Sequence, residues 1–304
     1  TTLFRSYHPR RVMIAIDLGS NTIRFIEFDG TVWGKSFEKI VRTAESLHQT
    51  RLIGVQAIGR IIAAIEEAKI HLDFAAHTVV AYTTAAMRMA ENQTDAIDAI
   101  EAATGIRFLI IDAQKEASLT LKAVRYRLDK LGIEPSAFVM ADIGGGSTEL
   151  ISADHESVSS ISINQGIVTL SESADTSGFL SEKIAAFKER IVSDTRKIEN
   201  GSLVLTAGTP TTIAAYLNGM DYDHYDPRRI NGFVLTLEGC YRVYEQLLSM
   251  DEATRRRYVG VGRENLIMAG ILMVTAIYEA LGYTEAIIID DGLREGIALD
   301  FFDR

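Results

Sequence analysis

The 304-residue chain has a single cysteine, Cys240, with four prolines and one tryptophan. One thiol excludes an internal disulfide and fits a reducing cytosol, so a cytoplasmic setting is expected. Cys240 lies in an amphipathic helical stretch and reads as a small core residue. The six histidines show no metal-ligand spacing, which argues against a zinc site. There is no Gly-x-x-x-x-Gly-Lys-Ser/Thr loop, no Gly/Pro-rich linker and no low-complexity tract. Thr1 to Arg11 mixes Arg, His and Pro without the apolar centre of a signal peptide. The most apolar helical run, Leu266 to Leu281, is interrupted by Thr275 and Glu279 and is too short for a bilayer. It reads as a buried helix. Basic excess is also missing: the net charge of −10 argues against a nucleic-acid surface. The length exceeds that at which one core usually keeps growing, so two domains are the default.

Two segments that are present say nearly the same thing. One is Ile14-Ala15-Ile16-Asp17-Leu18-Gly19-Ser20-Asn21-Thr22, followed by Arg24. The other is Val139-Met140-Ala141-Asp142-Ile143-Gly144-Gly145-Gly146-Ser147-Thr148-Glu149. Each reads as a buried strand ending in aspartate, a turn of Gly and small hydroxyl residues, and a returning strand that begins with Thr. Such a turn exposes backbone N–H groups in a concavity that binds anions such as phosphate. Glycine lets the backbone approach an oxyanion without a Cβ in the way. Asp17 and Asp142 are poor neighbours for phosphate unless a cation lies between, so Mg²⁺ is implied. The triple glycine opens a strand rather than a helix, so it is no dinucleotide fingerprint. Two copies suggest a duplicated fold closing on a phosphate-bearing ligand.

The remaining pattern alternates. Strands are expected at Val12 to Asp17, Thr22 to Phe28 and Thr31 to Ile40, then a helix at Leu52 to Ile70 with apolar residues at helical spacing. His77 to Ala81 and Arg107 to Ile111 read as strands, with short helices between Thr84 and Ala103. A long helix follows from Gln114 to Lys130, stopped at Leu131-Gly132. After the Asp142 hairpin come a strand near Val158 to Ile163 and a helix from Gly178 to Glu199. A strand at Leu203 to Thr206, helices at Thr236 to Leu248 and Arg263 to Leu281, and a strand at Ala286 to Ile289 complete the pattern. Each half is a hairpin-rich sheet with helical crossovers. Asp221 to Pro227 looks like an acidic trap and reads as a loop.

These residues resemble the Ppx/GppA phosphatases, the exopolyphosphatases and guanosine pentaphosphate phosphohydrolases of the acetate-sugar kinase, heat-shock chaperone and actin superfamily. The likeness runs from about Arg11 to near the C-terminus. It is carried by Asp17 to Asn21 with Arg24, Tyr82-Thr83-Thr84-Ala85-Ala86-Met87-Arg88 and Lys115-Glu116-Ala117. It continues in Asp142 to Glu149, Ala207-Gly208-Thr209, Arg263-Glu264-Asn265 and Asp291-Gly292-Leu293-Arg294-Glu295-Gly296. Pro210 after Thr209, and Asn231-Gly232 where many relatives carry His-Gly, depart from the family pattern. The resemblance implies an α/β fold of two ribonuclease H-like domains with an interdomain cleft. Residues 1–115 with 290–304 form the first domain and 116–289 the second, with the crossover near Glu116 to Lys122.

The resemblance also implies the chemistry: Mg²⁺-dependent hydrolysis, Mn²⁺ being an alternative, of a terminal phosphoanhydride in inorganic polyphosphate or guanosine pentaphosphate. Glu116 becomes the general base, Asp142 and Glu149 its catalytic companions, and Asp142, Glu149 and Asp17 the metal ligands. Glu149, seven residues past Asp142 on the returning strand, can face the same cleft. Phosphate contacts fall to Asp17, Gly19, Ser20, Asn21, Arg24, Thr84 and Arg88, to Gly144, Gly145, Gly146, Ser147 and Thr148, and to Gly208, Thr209 and Arg263. Arginine suits this task because its fork holds phosphate oxygens in pairs. Gly208 and Thr209 open a helix whose N–H groups can contact phosphate.

In an acidic chain the basic residues must be concentrated locally. The further candidates are Arg228, Arg229 and Arg255 to Arg257, the last three reading as a solvated helix face. The alternative function is a phosphate- or alarmone-binding regulatory module of the same fold without turnover. Glu116, Asp142 and Glu149 together favour the enzyme. A kinase or ATPase is disfavoured because the Gly208 segment is short of glycines for an adenosine pocket. Many longer relatives carry an added C-terminal helical region, and its absence here predicts a distributive enzyme. The oligomeric state stays open, a homodimer among the alternatives.

Overall fold

A computed structural model describes residues 11–154, 156–172, 177–195 and 201–304. The stretch Thr1 to Arg10 and the far end of the helix expected to reach Glu199 lie outside them. The first half contains β1 (Met13–Leu18), β2 (Thr22–Phe28), β3 (Trp33–Ile40), α1 (Leu47–Thr50), α2 (Val55–His71) and β4 (Thr78–Thr83). It closes with α3 (Ala85–Met89), α4 (Gln93–Thr104) and β5 (Leu109–Ile110). Helix α5 (Ala113–Leu131) leads into β6 (Phe138–Ile143), β7 (Thr148–Ala153), β8 (Val158–Ile163), α6 (Ile167–Glu172), α7 (Ser177–Asp194) and β9 (Ser202–Thr206). Next come α8 (Gly208–Leu217), a 3-10 turn (Tyr222–His224), α9 (Pro227–Ile230), β10 (Phe233–Thr236), α10 (Leu237–Ser249) and α11 (Glu252–Val259). The last elements are α12 (Leu266–Leu281), β11 (Glu285–Ile288) and α13 (Leu293–Phe302).

The strand orders are β3-β2-β1-β4-β5 and β10-β11-β9-β6-β7-β8. In each sheet an antiparallel meander of three strands is joined on one side by a parallel neighbour, β1 to β4 and β6 to β9. The same plan is therefore used twice.

Burial explains why β1 and β6 read as unbroken apolar runs. Ile14, Ile16 and Leu18 face α2 through Ala57, Ile61 and Ile65, while Met13 and Ala15 face Leu293 and Ile297 of α13. In β6, Val139, Ala141 and Ile143 join the core of α8 and α12, and Phe138 and Met140 pack on Leu121, Val124 and Leu128 of α5. Strands covered on both faces lose the alternation of half-buried ones. Each such Ile or Leu contributes about 1.5–3 kcal/mol. Helix α12 is buried along most of its length, and Cys240 is a buried core residue.

Helices α5 and α13 join the two sheets. Asp112 caps α5, accepting from the Lys115 N–H at 2.7 Å, and Gly132 ends it at φ 66°. Where the two helices cross, a Cβ on Gly296 would overlap the Leu119 carbonyl, so only glycine permits the approach.

Three local expectations are refined. The third strand begins at Trp33 because Asp29 Oδ1 accepts from the Thr31 and Val32 N–H groups at 2.8 and 2.7 Å and holds a turn. The long first helix starts at Val55, since the Ile53 N–H is taken by Asn92 Oδ1 at 2.8 Å. Segment 221–227 is a loop tightened by a 3-10 turn, with Asp221 capping that turn and Asp226 capping α9. The short strand β10 was not anticipated.

Candidate active site

Strand register lines up the charged residues. Asp17 lies opposite Arg24 on β2, and Arg24 opposite Glu38 on β3. In the second sheet Asp142 stands between Thr206 on β9 and Glu149 on β7, and Glu149 is opposite Ser162 on β8. Directly opposed residues project to one face of a sheet, so each sheet carries a polar row across its strands. The rows are equivalent in position and differ in charge. The residue opposite the first aspartate is Arg24 in one half and Glu149 in the other.

The two glycine turns meet face to face. A Cβ on Gly145 would come within 2.9 Å of Ser20 Cβ, and one on Gly146 within 2.7 Å of Ser20 Oγ and 3.2 Å of Ala85 Cβ. The Gly144 carbonyl accepts from Ile167 N–H at 3.0 Å and the Gly145 carbonyl from Val168 N–H at 2.8 Å. Trans peptide planarity then points the N–H groups of Gly145 and Gly146 away from α6. The turn thus offers donors on its other side.

Between the sheets lies a cavity of about 130 Å³. Its walls include Asp17, Gly19, Ser20, Asn21, Arg24, Thr84, Glu116 and Asp142, with the Gly144 to Ser147 backbone, Gly208, Thr209 and Arg263. Three expected site residues are not in this wall. Arg88 donates from Nη1 to Glu116 Oε2 at 2.7 Å and to the Ile111 carbonyl at 2.8 Å, so its partner is Glu116. Glu149 is only 2 % exposed and accepts from Ser162 Oγ at 2.9 Å, behind Asp142. The Thr148 hydroxyl donates to the Gln165 carbonyl at 2.8 Å.

The carboxylates are electrostatically strained. Burial pushes Asp17 up to about 6, against the pull of Arg24 and with the Asp142 charge adding to the rise. Asp142 is also raised by burial, opposed by Arg24. Glu149 is pushed up to about 7 by burial and the Asp142 charge. Glu116 reaches about 8, raised by burial and Glu149 and held back by Arg88. Four buried acidic groups thus lie close enough for their charges to raise one another.

The cations sit at the opening of α8. A Cβ on Gly208 would overlap Arg263 Nη2 and approach Arg24 Nη2 at 3.7 Å, so both guanidiniums lie against this glycine. Burial pulls the Arg263 guanidinium down, Glu38 opposing. Ala207, just before, holds φ 74° and ψ −179°, a region normally left to glycine. The other candidate arginines are engaged elsewhere. Arg228 pairs with Asp226 at 2.9 Å, Arg229 donates to the Asn218 carbonyl at 2.9 Å, and Arg255 donates to the Leu247 and Met250 carbonyls, both at 3.0 Å. Arg256 pairs with Glu264 at 2.8 Å and Arg257 with Asp221 at 3.2 Å.

Several neighbours carried no sequence-derived role. Arg294 pairs with Glu295 at 2.5 Å, and Arg127 Nε donates to both Asp291 oxygens at 3.1 and 3.0 Å. The Asp290 N–H donates to Asn231 Oδ1 at 2.8 Å and its carboxylate accepts from the Tyr225 hydroxyl at 2.6 Å. The signal for these was the dense acidic and basic ending at residues 290–295. Among the described residues no three His, Cys, Asp or Glu side chains form a ready metal cage, and no helix is long and apolar enough to cross a membrane.

The two mixed sheets and their helices around the cavity make an α/β fold that an exopolyphosphatase-like protein of known structure shares. The chain belongs to the Ppx/GppA phosphatase family, whose model matches residues 35–304. It is 27% identical to exopolyphosphatase 1 of Mycobacterium bovis, over 95% of this chain and 87% of that protein. It is also 27% identical to exopolyphosphatase 2 of Mycobacterium tuberculosis, over 94% of this chain and 97% of the relative. Among solved structures, an exopolyphosphatase-like protein superposes with a TM-score of 0.82 at 26% identity, covering 96% of this chain and 97% of that one. A phosphatase-type hydrolase is the class that fold, site and relatives define.

Proposed function

We propose that the protein is an exopolyphosphatase that removes terminal phosphate from inorganic polyphosphate with Mg²⁺, Mn²⁺ serving in its place. One observation carries this: a single cavity gathers the two glycine turns, the Asp17, Asp142 and Glu116 carboxylates, and Arg24 with Arg263. Its space of about 130 Å³ has room for the terminal phosphate of a chain with water beside it.

The donor set fits the metal. Carboxylate oxygens are hard ligands, and Mg²⁺ is usually held by one or two of them with water and phosphate oxygens completing its shell. Asp142 is the first choice, with Asp17 and Glu149 beside it, and a cation would relieve their crowding. When bound, the ion neutralises charge on the phosphoryl oxygens. The amides of Gly144 to Ser147 hold the terminal phosphate. Glu116, oriented by Arg88, accepts a proton from the attacking water. Arg24 and Arg263 bind the phosphates further along the chain. The setting is the cytoplasm, where the unpaired Cys240 stays reduced.

The test is phosphate release from polyphosphate and from guanosine pentaphosphate side by side, with Mg²⁺ and with excess chelator. Activity on polyphosphate should disappear with chelator and return with Mg²⁺ or Mn²⁺, and Asp142→Ala should not be rescued. Full activity in chelator defeats the metal assignment. Turnover of guanosine pentaphosphate alone makes the protein a guanosine pentaphosphatase instead.

A further inference from the structure

Glu38 belongs to no part of the machinery described so far. It sits on β3, the edge strand of the first sheet, with 38% of its side chain exposed. Its Oε2 lies 3.5 Å from Arg24 Nε, and its Oε1 accepts from the Tyr222 hydroxyl at 3.2 Å. Tyr222 comes from the second half of the chain, so this carboxylate ties an arginine of one sheet to a tyrosine beside the other. A second contact of the same sense lies nearby: a Cβ on Gly262 would come within 2.7 Å of Arg42 Nη2. Beneath Tyr222, Gly260 holds φ 88°, and a Cβ there would meet the ring at 2.8 Å.

The arginine that Glu38 holds is poorly satisfied. Arg24 Nε is buried and makes no hydrogen bond, since the ion pair is too long for one. Arg24 and Arg263 converge on Gly208, and two guanidiniums in one corner require an anion. Glu38 supplies that anion, and against the desolvation of its neighbourhood Arg24, Arg263 and Arg294 hold the carboxyl below its usual range. A phosphate would serve the same arginines better, because its oxygens accept from a guanidinium in pairs.

We propose that Glu38 is a specificity-determining residue, a built-in competitor that holds Arg24 and Tyr222 until an inner phosphate of a chain displaces it. This rests on the reading of the cavity as a polyphosphate site. A single orthophosphate seated at the Gly144 to Ser147 turn leaves Glu38 in place. A chain long enough to reach Arg24 and Arg263 expels it and breaks its contact with Tyr222. Glu38 therefore weakens only the binding of chains long enough to reach Arg24 and Arg263, and the length of the phosphate chain decides whether the exchange occurs.

The experiment is calorimetric titration with inorganic tripolyphosphate and with orthophosphate, Mg²⁺ present, in a Glu116→Gln parent that suppresses turnover. Adding Glu38→Gln should tighten tripolyphosphate about tenfold, the scale of one freed charge-assisted contact, with orthophosphate unchanged. Tyr222→Phe, which removes one of the groups holding Glu38, should act in the same direction by about threefold and keeps the test open should Glu38→Gln fold poorly. Unchanged tripolyphosphate affinity in both variants overturns the role of Glu38. Equal tightening of both ligands does so too, because it reports only the loss of a negative charge. A parent that binds no tripolyphosphate overturns the site reading itself.

Discussion

Replacing Glu116 with glutamine should make the protein more stable and less active, and the gain should depend on pH. The change keeps the shape of the side chain and an oxygen for Arg88 Nη1, which now donates to Glu116 at 2.7 Å. It removes a charge that burial and Glu149 oppose, the carboxyl standing at about 8 against 4.5 ordinarily. The sign follows from proton counting. Between those two values the folded protein binds more protons than the unfolded chain, so wild-type stability falls as pH rises through the interval. At pH 7 the interval crossed is 7 − 4.5 = 2.5 units. At about 1.4 kcal/mol per unit this costs the wild type up to about 3 kcal/mol. Glutamine does not titrate. The stability gap between variant and wild type should therefore be smallest near pH 4, open steadily to pH 7 and level off above about pH 8. Part of it is shared with Glu149, which loses a charged neighbour. Urea unfolding in chelator at pH 5, 7 and 8 measures the gap, and phosphate release should fall by about 10² or more. A gap that is the same at pH 5 and 8 refutes the strained carboxyl. Near wild-type turnover removes Glu116 as the base.

Gly146→Ala adds a methyl 2.7 Å from Ser20 Oγ and 3.2 Å from Ala85 Cβ. Forcing the turns apart should lower kcat/KM by about tenfold or more, with Ser20→Ala in the same chain restoring part. Unchanged kinetics would show that the turns do not meet during the reaction. Ala207→Gly should raise stability by about 1 kcal/mol by relieving an alanine from a glycine conformation; a lower urea midpoint contradicts that backbone. Partial digestion of long polyphosphate should show intermediate lengths on a gel. The net charge is −10 and Arg228 and Arg255 to Arg257 are committed to protein partners, so little remains to hold the chain between cuts. Free phosphate beside only full-length substrate would reveal a processive grip.

Most of the sheet framework was legible because β1 and β6 are covered on both faces, and a continuous apolar run bounded by glycine turns has few other uses. The polar rows were half legible. Seven residues from Asp142 to Glu149 suggest one cleft, and only the register shows them directly opposed. The destination of Arg88 was hidden because its partner, Glu116, lies 28 positions away on another helix. Glu38 looked like any charge on an exposed edge strand. Strand β10 has four residues and exists because β11 needs a neighbour on its open side, which is a tertiary cause. In the segment at 221–227, aspartates that favour turns also cap short helices, and local sequence does not separate the two outcomes.

The crossing of α5 and α13 has a mechanical meaning. Gly296 brings one helix backbone against the other at Leu119, so this point can act as an axle between the sheets. Glu116 lies three residues before Leu119 on α5, a rise of about 4.5 Å. Points near an axle travel little when the bodies around it turn. Opening and closing the protein would carry Arg42 past Gly262 and Glu38 away from Tyr222 while Glu116 scarcely shifts. On the proposed reading substrate would come and go by motion at the rim, while Glu116, the proposed base, would keep its aim.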